Sequence, residues 1–221
     1  MLKLSKRLLA IAEMVPNSVV ADIGSDHGKL MIELFNSGKI RKGYAIENKK
    51  GPYSRLVKAL EKEEIIDSVI PIFSDGITDL PLSVTTVVIA GMGGKTIVEI
   101  LKKHPNKLKN VDTLILDAHS CIPYLREEVS KMGYAIFDER IVKEDDVFYE
   151  IIKFHKADIA FYSSDDLEFG PILRKEKNSV FREKYKNRIN KINQLLSNTR
   201  LPYVKLDCLQ REKEKLESIL W

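Results

Sequence analysis

The 221-residue chain reads as an α/β fold: a seven-stranded, mostly parallel sheet with helices on both faces, followed by an antiparallel helical hairpin that resembles a short coiled coil. Three observations carry this reading. Up to about His155, short uncharged runs of β-branched and small residues alternate with helical patterns, as parallel strands joined by crossover helices do. Two apolar runs, Tyr134–Val142 and Val147–Phe154, are separated only by Lys143-Glu144-Asp145-Asp146, the pattern of an antiparallel hairpin closing such a sheet. Beyond His155 the strand patterns cease and two amphipathic helices remain.

Taken in order, Leu4, Leu8, Ile11 and Ala12, with Val15 behind them, recur at helical spacing, and Pro16-Asn17 ends this first helix. Ser18–Ile23 is a short buried strand, Gly24-Ser25-Asp26-His27-Gly28 the loop beyond it, and Lys29–Ser37 a helix stopped by Gly38. Gly43–Ile46 is the second strand, closed by Glu47, with a helix from about Gly51 to Lys62. Ser68–Phe73 is the third, ending in the turn Ser74-Asp75-Gly76. Val84–Ala90 carries no charge and reads as a central strand buried on both faces; it stops at Gly91-Met92-Gly93-Gly94, before a helix over Thr96–Lys103. Asp112–Leu116 is the fifth strand, ending at Asp117-Ala118-His119. Past the closing hairpin, Phe161–Asp166 reads as a linker. The helical region beginning at Phe169-Gly170-Pro171 keeps Phe181, Tyr185, Ile189, Ile192 and Leu196 on one face; Ser197-Asn198-Thr199 breaks it, and Pro202–Leu220 forms its partner through Leu206, Leu209, Leu216 and Leu220.

Composition narrows the class. Hydrophobic residues make up 44% and charged residues 31%, so the chain is globular and neither disordered nor membranous. Nothing approaches the roughly 18 apolar residues of a membrane span, and Met1–Arg7 lacks the apolar block and cleavage site of a secretory signal, so a cytoplasmic protein is expected. Cys121 and Cys208 stand far apart, and His27, His104, His119 and His155 show no metal-ligand spacing; neither disulfide nor metal is expected. Residues 1–155 hold equal numbers of basic and acidic side chains, whereas 171–205 hold ten Lys and Arg against Glu176 and Glu183 alone. Such a stripe favours a polyanionic partner; a merely solvated helix face is the plainer alternative.

In a doubly wound sheet the carboxyl ends of the strands converge on one crevice, and each strand end here carries a distinctive group. Asp22-x-Gly24-x-x-x-Gly28 lacks the full glycine fingerprint of a pyrophosphate cradle, and an Asp before the first glycine suits a cationic or hydroxyl-rich ligand. Glu47 follows Asp22 by about 25 positions, near the spacing at which an acidic side chain takes the ribose hydroxyls of an adenosine cofactor; a plain surface Glu is the alternative. Asp75-Gly76 offers an acceptor for an adenine amino group beside a backbone that a ring can approach, and Ala90-Gly91-Met92-Gly93-Gly94 would floor the ligand. Glycines that only make a tight turn remain the alternative there. S-adenosylmethionine fits the absence of phosphate contacts.

On Leu4-Ser5-Lys6-Arg7-Leu8, Ala21-Asp22-Ile23-Gly24-Ser25-Asp26-His27, Ile89-Ala90-Gly91-Met92-Gly93-Gly94 and Gly170-Pro171-Ile172-Leu173-Arg174-Lys175-Glu176-Lys177-Asn178, the chain resembles the bacterial tRNA (adenine-22 N1)-methyltransferases, the TrmK type, over nearly its whole length. The resemblance implies a class I, Rossmann-like methyltransferase fold, S-adenosylmethionine as methyl donor and N1 of an adenine in the tRNA D-arm region as acceptor. Residues 1–158 are then expected to form the S-adenosylmethionine-binding domain and residues 159–221 the tRNA-binding hairpin. The expected cofactor-binding set is Arg7, Asp22, Gly24, Ser25, Asp26, Gly28, Glu47, Asn48, Asp75, Gly76, Ala90, Gly91, Met92 and Gly93. The chain departs from the family at Gly28-Lys29, where Ala-Tyr is usual, and at Asp117-Ala118-His119, where Gln-Pro followed by a polar residue is usual.

N1 of adenine carries a free lone pair, so methylation there needs positioning more than proton abstraction. The product is cationic, and a carboxylate near the ring would stabilise the charge that develops. Asp26 is the first candidate, with His27 beside it to stack or hydrogen-bond; an aspartate that merely fixes its loop is the alternative. N1 is paired in a duplex, so the base must be unpaired or flipped out. Arg7 is available for the cofactor carboxylate or an RNA phosphate. Lys29, Arg174, Lys175, Lys177, Arg182, Lys184, Lys186 and Arg188 are expected to track the tRNA backbone, and the protein is expected to act as a monomer. A methyltransferase acting on a small molecule or a protein, and a noncatalytic RNA-binding module with a vestigial pocket, stay open as rivals; a nicotinamide dehydrogenase is disfavoured by the incomplete glycine fingerprint.

Overall fold

The structure, a computed structural model, describes residues 4–158, 160–197 and 201–220. Its strands are β1 (Val20–Ile23), β2 (Gly43–Glu47), β3 (Val69–Phe73), β4 (Thr86–Met92), β5 (Thr113–Ala118), β6 (Tyr134–Glu144) and β7 (Val147–Lys156). They form one sheet in the order β3-β2-β1-β4-β5-β7-β6, parallel except for β7, which runs antiparallel to both β5 and β6. Helices α1 (Lys6–Met14), α2 (Lys29–Asn36), α3 (Lys50–Lys62), α4 (Gly94–Lys103) and α5 (Ile122–Lys131) cover it. No helix among the described residues is long and apolar enough to cross a membrane.

Strand side chains alternate between two cores, as a sheet covered on both faces requires. Ala21, Ile23, Val87, Ile89, Leu114 and Leu116 pack with α4 and α5 through Ile97, Leu101, Leu125 and Val129. Val20, Val88, Ile115 and Ile151 face the opposite side, against Ile11, Met31, Leu34, Leu56 and Leu60 of α1 to α3. The opening helix is fixed at both ends. Ser5 accepts the Leu8 N–H at 3.2 Å, and Lys39 Nζ donates to the carbonyls of Ala12, Glu13 and Val15 at its carboxyl end.

Several boundaries differ from expectation. Helix α4 begins at Gly94, and β5 runs on to Ala118, which places Asp117 inside the strand. Strand β6 extends to Glu144, leaving the two-residue turn Asp145-Asp146 with φ of 47° and 60°, the left-handed pair that a primed hairpin turn needs. Residues 164–166 are not linker: Ser163 and Asp166 form a reciprocal capping box that starts α6 (Ser164–Phe169). A short α7 (Leu173–Glu176) follows.

Helices α8 (Ser179–Leu196) and α9 (Tyr203–Leu220) pack antiparallel. Arg182 Nη1 donates to the Leu220 carbonyl at 2.9 Å, and Arg188 grips Glu212 with Nε and Nη2 at 2.6 and 2.8 Å. Phe169, Leu173, Phe181, Tyr185, Ile192, Leu209, Leu216, Ile219 and Leu220 form a third core together with Ile141 of β6. Below it lies a buried ionic cluster. Arg126 of α5 donates to Glu139 at 2.8 Å and to Glu150 at 2.6 Å, Lys184 of α8 pairs with the other Glu150 oxygen, and the Ile172 N–H donates to Glu139 at 2.9 Å. Burial raises the Glu139 carboxyl above its usual range despite Arg126; at Glu150 burial is outweighed by Arg126 and Lys184, and the carboxyl is held below that range. The expected division between residues 158 and 159 falls beside Ile159, and Asn198 and Thr199 of the expected helix break also lie outside the described residues.

Candidate active site

The strand order reverses where β1 lies between β2 and β4, and a cavity of about 650 Å³ opens at their carboxyl ends. Glu47, the last residue of β2, lines it while only 7% exposed. Its Oε1 accepts the N–H groups of Asn48 and Lys49 at 3.0 Å each, which leaves Oε2 without a hydrogen-bond partner among the described residues. Across the cavity, Asp75 accepts from Asn48 Nδ2 at 3.0 Å and from Lys103 Nζ at 2.8 Å, and these two donors, Lys103 first, hold its carboxyl below the usual range. Gly76 adopts φ 58° with its open side against Ile100, where a Cβ would lie 3.0 Å from Cγ2.

The loop after β1 bends back onto β2: the N–H groups of Gly24 and Ser25 donate to the Ile46 carbonyl at 2.8 and 3.2 Å, and the Gly28 N–H to the Ser25 carbonyl. Gly24 has φ 78°, and a Cβ there would lie 2.5 Å from Met92 Cε. Asp22 does not stand on the cavity wall. It is buried beneath the loop, accepts the Ser25 hydroxyl at 2.7 Å, and is pushed up to about 6 by burial, with the Ser25 bond opposing and Glu47 adding to the rise. It lies on the face of β1 that Val20 shares with α1 and α2, and it holds the loop through Ser25.

Strand β4 bulges at the site. Ala90 pairs with Asp117 and Met92 with Ala118, so Gly91 is the extra residue, at φ 77°. Ala90, Gly91 and Met92 line the cavity. The two following glycines do other things: Gly93 caps α4, and Gly94 packs on backbone, with a Cβ destined for 2.6 Å from the Cys121 carbonyl oxygen and 2.7 Å from that of Ser120. Arg7, at the start of α1, lies on the far side of Gly91, 3.4 Å from Asp117.

Of the two expected catalytic side chains, Asp26 lines the cofactor-sized cavity, at φ 42°, ion-paired to Arg55 at 2.8 Å. His27 stands 3.5 Å from Asp26 but lines a second cavity of about 790 Å³ between α2 and α3, together with Lys29, Lys62 and Glu63. Arg55 and Lys103, which set the two exposed carboxylates of the rim, escaped sequence reasoning; both sit on helices with no local motif, and only their tertiary partners mark them.

The basic residues of the hairpin divide. Arg174 pairs with Asp166 at 2.9 Å, Arg182 with the Lys177 and Leu220 carbonyls, Lys184 with Glu150 and Arg188 with Glu212. Lys175, Lys177 and Lys186 form no ion pair among the described residues. No group of three or more potential metal ligands occurs among the described residues.

Residues 20–219 match the model of the family described as tRNA (adenine(22)-N(1))-methyltransferase. A Bacillus subtilis tRNA (adenine(22)-N(1))-methyltransferase is 36% identical over 191 residues, 83% of this chain and 80% of the relative. Among solved structures, the Streptococcus pneumoniae protein Sp1610 in complex with S-adenosyl-L-methionine superposes with a TM-score of 0.90 at 31% identity, covering 99% of this chain and 100% of the other. M. capricolum TrmK in complex with S-adenosyl-homocysteine does so with a TM-score of 0.85 at 28% identity, over 98% of this chain and 97% of the other.

Proposed function

The chain belongs to the tRNA (adenine(22)-N(1))-methyltransferase family, and on that premise we propose that it transfers the methyl group of S-adenosylmethionine to N1 of an adenine in the D-arm region of tRNA. The observation that carries this reading is the meeting of Glu47, Asn48, Asp75, Gly76 and Gly91 around one cavity at the reversal of strand order. The residues fit a nucleoside: the free Glu47 Oε2 suits a ribose diol, the Asn48–Asp75 pair with Gly76 suits the edge and face of adenine, and the bare backbone at Gly24 and Gly91 admits close approach.

When bound, S-adenosylmethionine supplies an electrophilic methyl group on a sulfonium. The chain's own part is to bind, orient and stabilise. Glu47 and Asp75 hold the nucleoside, and Arg7 is placed for an oxyanion. Asp26 is on the rim where the acceptor ring would arrive; paired to Arg55, it is an anion that offsets the positive charge gained by the adenine as N1 is methylated. No proton need leave N1, so no strong base is required. His27 and Lys29, in the adjoining cavity, are placed to hold the acceptor strand where the target nucleotide leaves its stack. Residues 1–158 form the cofactor-binding domain and residues 159–221 the tRNA-binding hairpin, in a monomer working in the cytoplasm. Lys175, Lys177 and Lys186 are the phosphate-facing members of the basic stripe.

Incubation of bulk tRNA with labelled methyl donor, followed by nucleoside analysis and mapping of the modified position, tests the reading. Label in 1-methyladenosine at position 22 supports it. Label in another nucleoside, or only in protein or metabolites, sinks it.

A further inference from the structure

Two charged groups beside the cavity have hydrogen-bonding capacity that the protein does not use. Asp117, on the side of β5 facing α1, has a side chain only 1% exposed, and neither carboxylate oxygen has a hydrogen-bond partner among the described residues. The Gly91 amide points toward it closely enough to favour its ionised form, but not at hydrogen-bond geometry. Its counter-charge is Arg7, with Nη1 3.4 Å from Oδ2. The Arg7 side chain is 26% exposed, and its guanidinium donates no hydrogen bond to a described residue. The Tyr149 ring lies 5.0 Å from its Cζ, and where Gly91 lacks a Cβ the guanidinium approaches to 3.5 Å of the vacant position.

Both halves of this couple are costly as they stand. A buried carboxylate without hydrogen bonds destabilises the native chain. A cation in the first turn of α1, whose own first turn holds no acidic residue, opposes the helix dipole, with only Glu144 of β6, which accepts the Lys6 N–H at 2.7 Å, to offset it. Local costs that coincide beside a ligand cavity mark function rather than stability. A planar guanidinium with its N–H fork unfilled is built to take an oxyanion through two parallel bonds.

We propose that Asp117 is a positioning residue that holds Arg7 across Gly91, between the carboxylate and the Tyr149 ring, so that the guanidinium receives an oxyanion of one of the two substrates. That oxyanion is the carboxylate of the methyl donor or a phosphate of the tRNA. The proposal rests on the methyl-transfer reading above and assigns Asp117 no contact with either substrate.

The test uses the full chain and the variants Arg7→Ala, Asp117→Asn and both together. Three quantities are read: the Kd of S-adenosylhomocysteine by calorimetry, the KM values for donor and tRNA, and Tm at about pH 7.5. Loss of a charge-assisted pair should weaken one substrate by roughly 10- to 100-fold in Arg7→Ala. Asp117→Asn should weaken the same substrate by about 3- to 10-fold with kcat nearly unchanged, and the double variant should be no worse than Arg7→Ala alone. The Tm of Asp117→Asn should equal or exceed that of the parent, since a buried carboxylate without hydrogen bonds is removed. Weakening of S-adenosylhomocysteine and donor identifies the donor carboxylate as the oxyanion; weakening of tRNA alone identifies a phosphate. Asp117→Asn with a lowered Tm and unchanged KM values overturns the proposal, as does additivity in the double variant. A parent chain that neither binds S-adenosylhomocysteine nor methylates tRNA sinks the methyl-transfer reading and this proposal with it, an outcome distinct from the others.

Discussion

Glu139 and Glu150 stand on adjacent antiparallel strands and share one guanidinium, that of Arg126, with all three side chains at or below 1% exposure. Two buried carboxylates depend on that cation, so removing it is far more harmful than the absence of an isolated surface pair. Arg126→Met should destabilise the chain by about 3–5 kcal/mol. Urea unfolding at neutral pH is the check, and a change below about 1 kcal/mol would mean that water or Lys184 replaces the missing charge.

Asp22 links stability to pH. Its folded-state pKa of about 6 lies above the ordinary 3.8, so the folded chain binds this proton more tightly than the unfolded chain does. The carboxylate therefore costs stability above 6, and the cost fades as pH falls through 6 toward 3.8. Asp22→Asn should be more stable than the parent by about 1–3 kcal/mol near pH 7.5, with the difference shrinking toward pH 4. Unfolding titrations at several pH values decide; a constant difference across the range would contradict the shift.

Glycine substitutions should separate the two roles within Gly91-Met92-Gly93-Gly94. In Gly94→Ala the new Cβ meets the Cys121 and Ser120 carbonyl oxygens at 2.6 and 2.7 Å, backbone that cannot swing aside, so α4 must move off the segment that leads into α5, at a cost of about 1–3 kcal/mol or more. Gly91→Ala meets only the Arg7 side chain at 3.5 Å, and its cost of about 1–2 kcal/mol comes from the left-handed backbone. Thermal melts should rank Gly94→Ala below Gly91→Ala, while calorimetry with S-adenosylhomocysteine should show a loss of affinity in Gly91→Ala.

The basic stripe can be divided by charge reversal. Lys175→Glu, Lys177→Glu and Lys186→Glu together should weaken tRNA binding and reduce the slope of log K against log salt by roughly 0.7 to 0.9 for each phosphate that is no longer neutralised. Cofactor affinity should stay at the parent value. Arg188→Glu should instead lower Tm, because it turns the Glu212 pair into a repulsion between α8 and α9. Equal loss of tRNA and cofactor affinity in the triple variant would show that these lysines support the fold.

Much of the fold is legible in the sequence because it is written in local pattern. The uncharged run Val84–Ala90 reads as a central strand, and β4 lies in the middle of the sheet; Glu47 ends β2, and Asp75 follows β3 by two residues. What stays hidden depends on distant partners. Nothing near Arg7 reveals that α1 lays it over Asp117, a separation of about half the chain. The basic stripe looks uniform until Glu150, Asp166 and Glu212 are seen to engage Lys184, Arg174 and Arg188. Helix α6 holds too few apolar residues for periodicity to show, and only its Ser163–Asp166 cap marks it. The sequence neighbours of Asp22 stand at the cavity and suggest that it does too, but alternation along β1 turns its side chain into the core.

Strand β7 places Tyr149 and Glu150 side by side, and consecutive strand residues face opposite sides of a sheet. One lies against the Arg7 guanidinium behind Gly91; the other anchors α8 through Lys184. A single peptide unit thus joins the anchor of α8 to the aromatic support of Arg7. A load applied to the hairpin by a docked tRNA would be felt, one residue away, beneath Arg7.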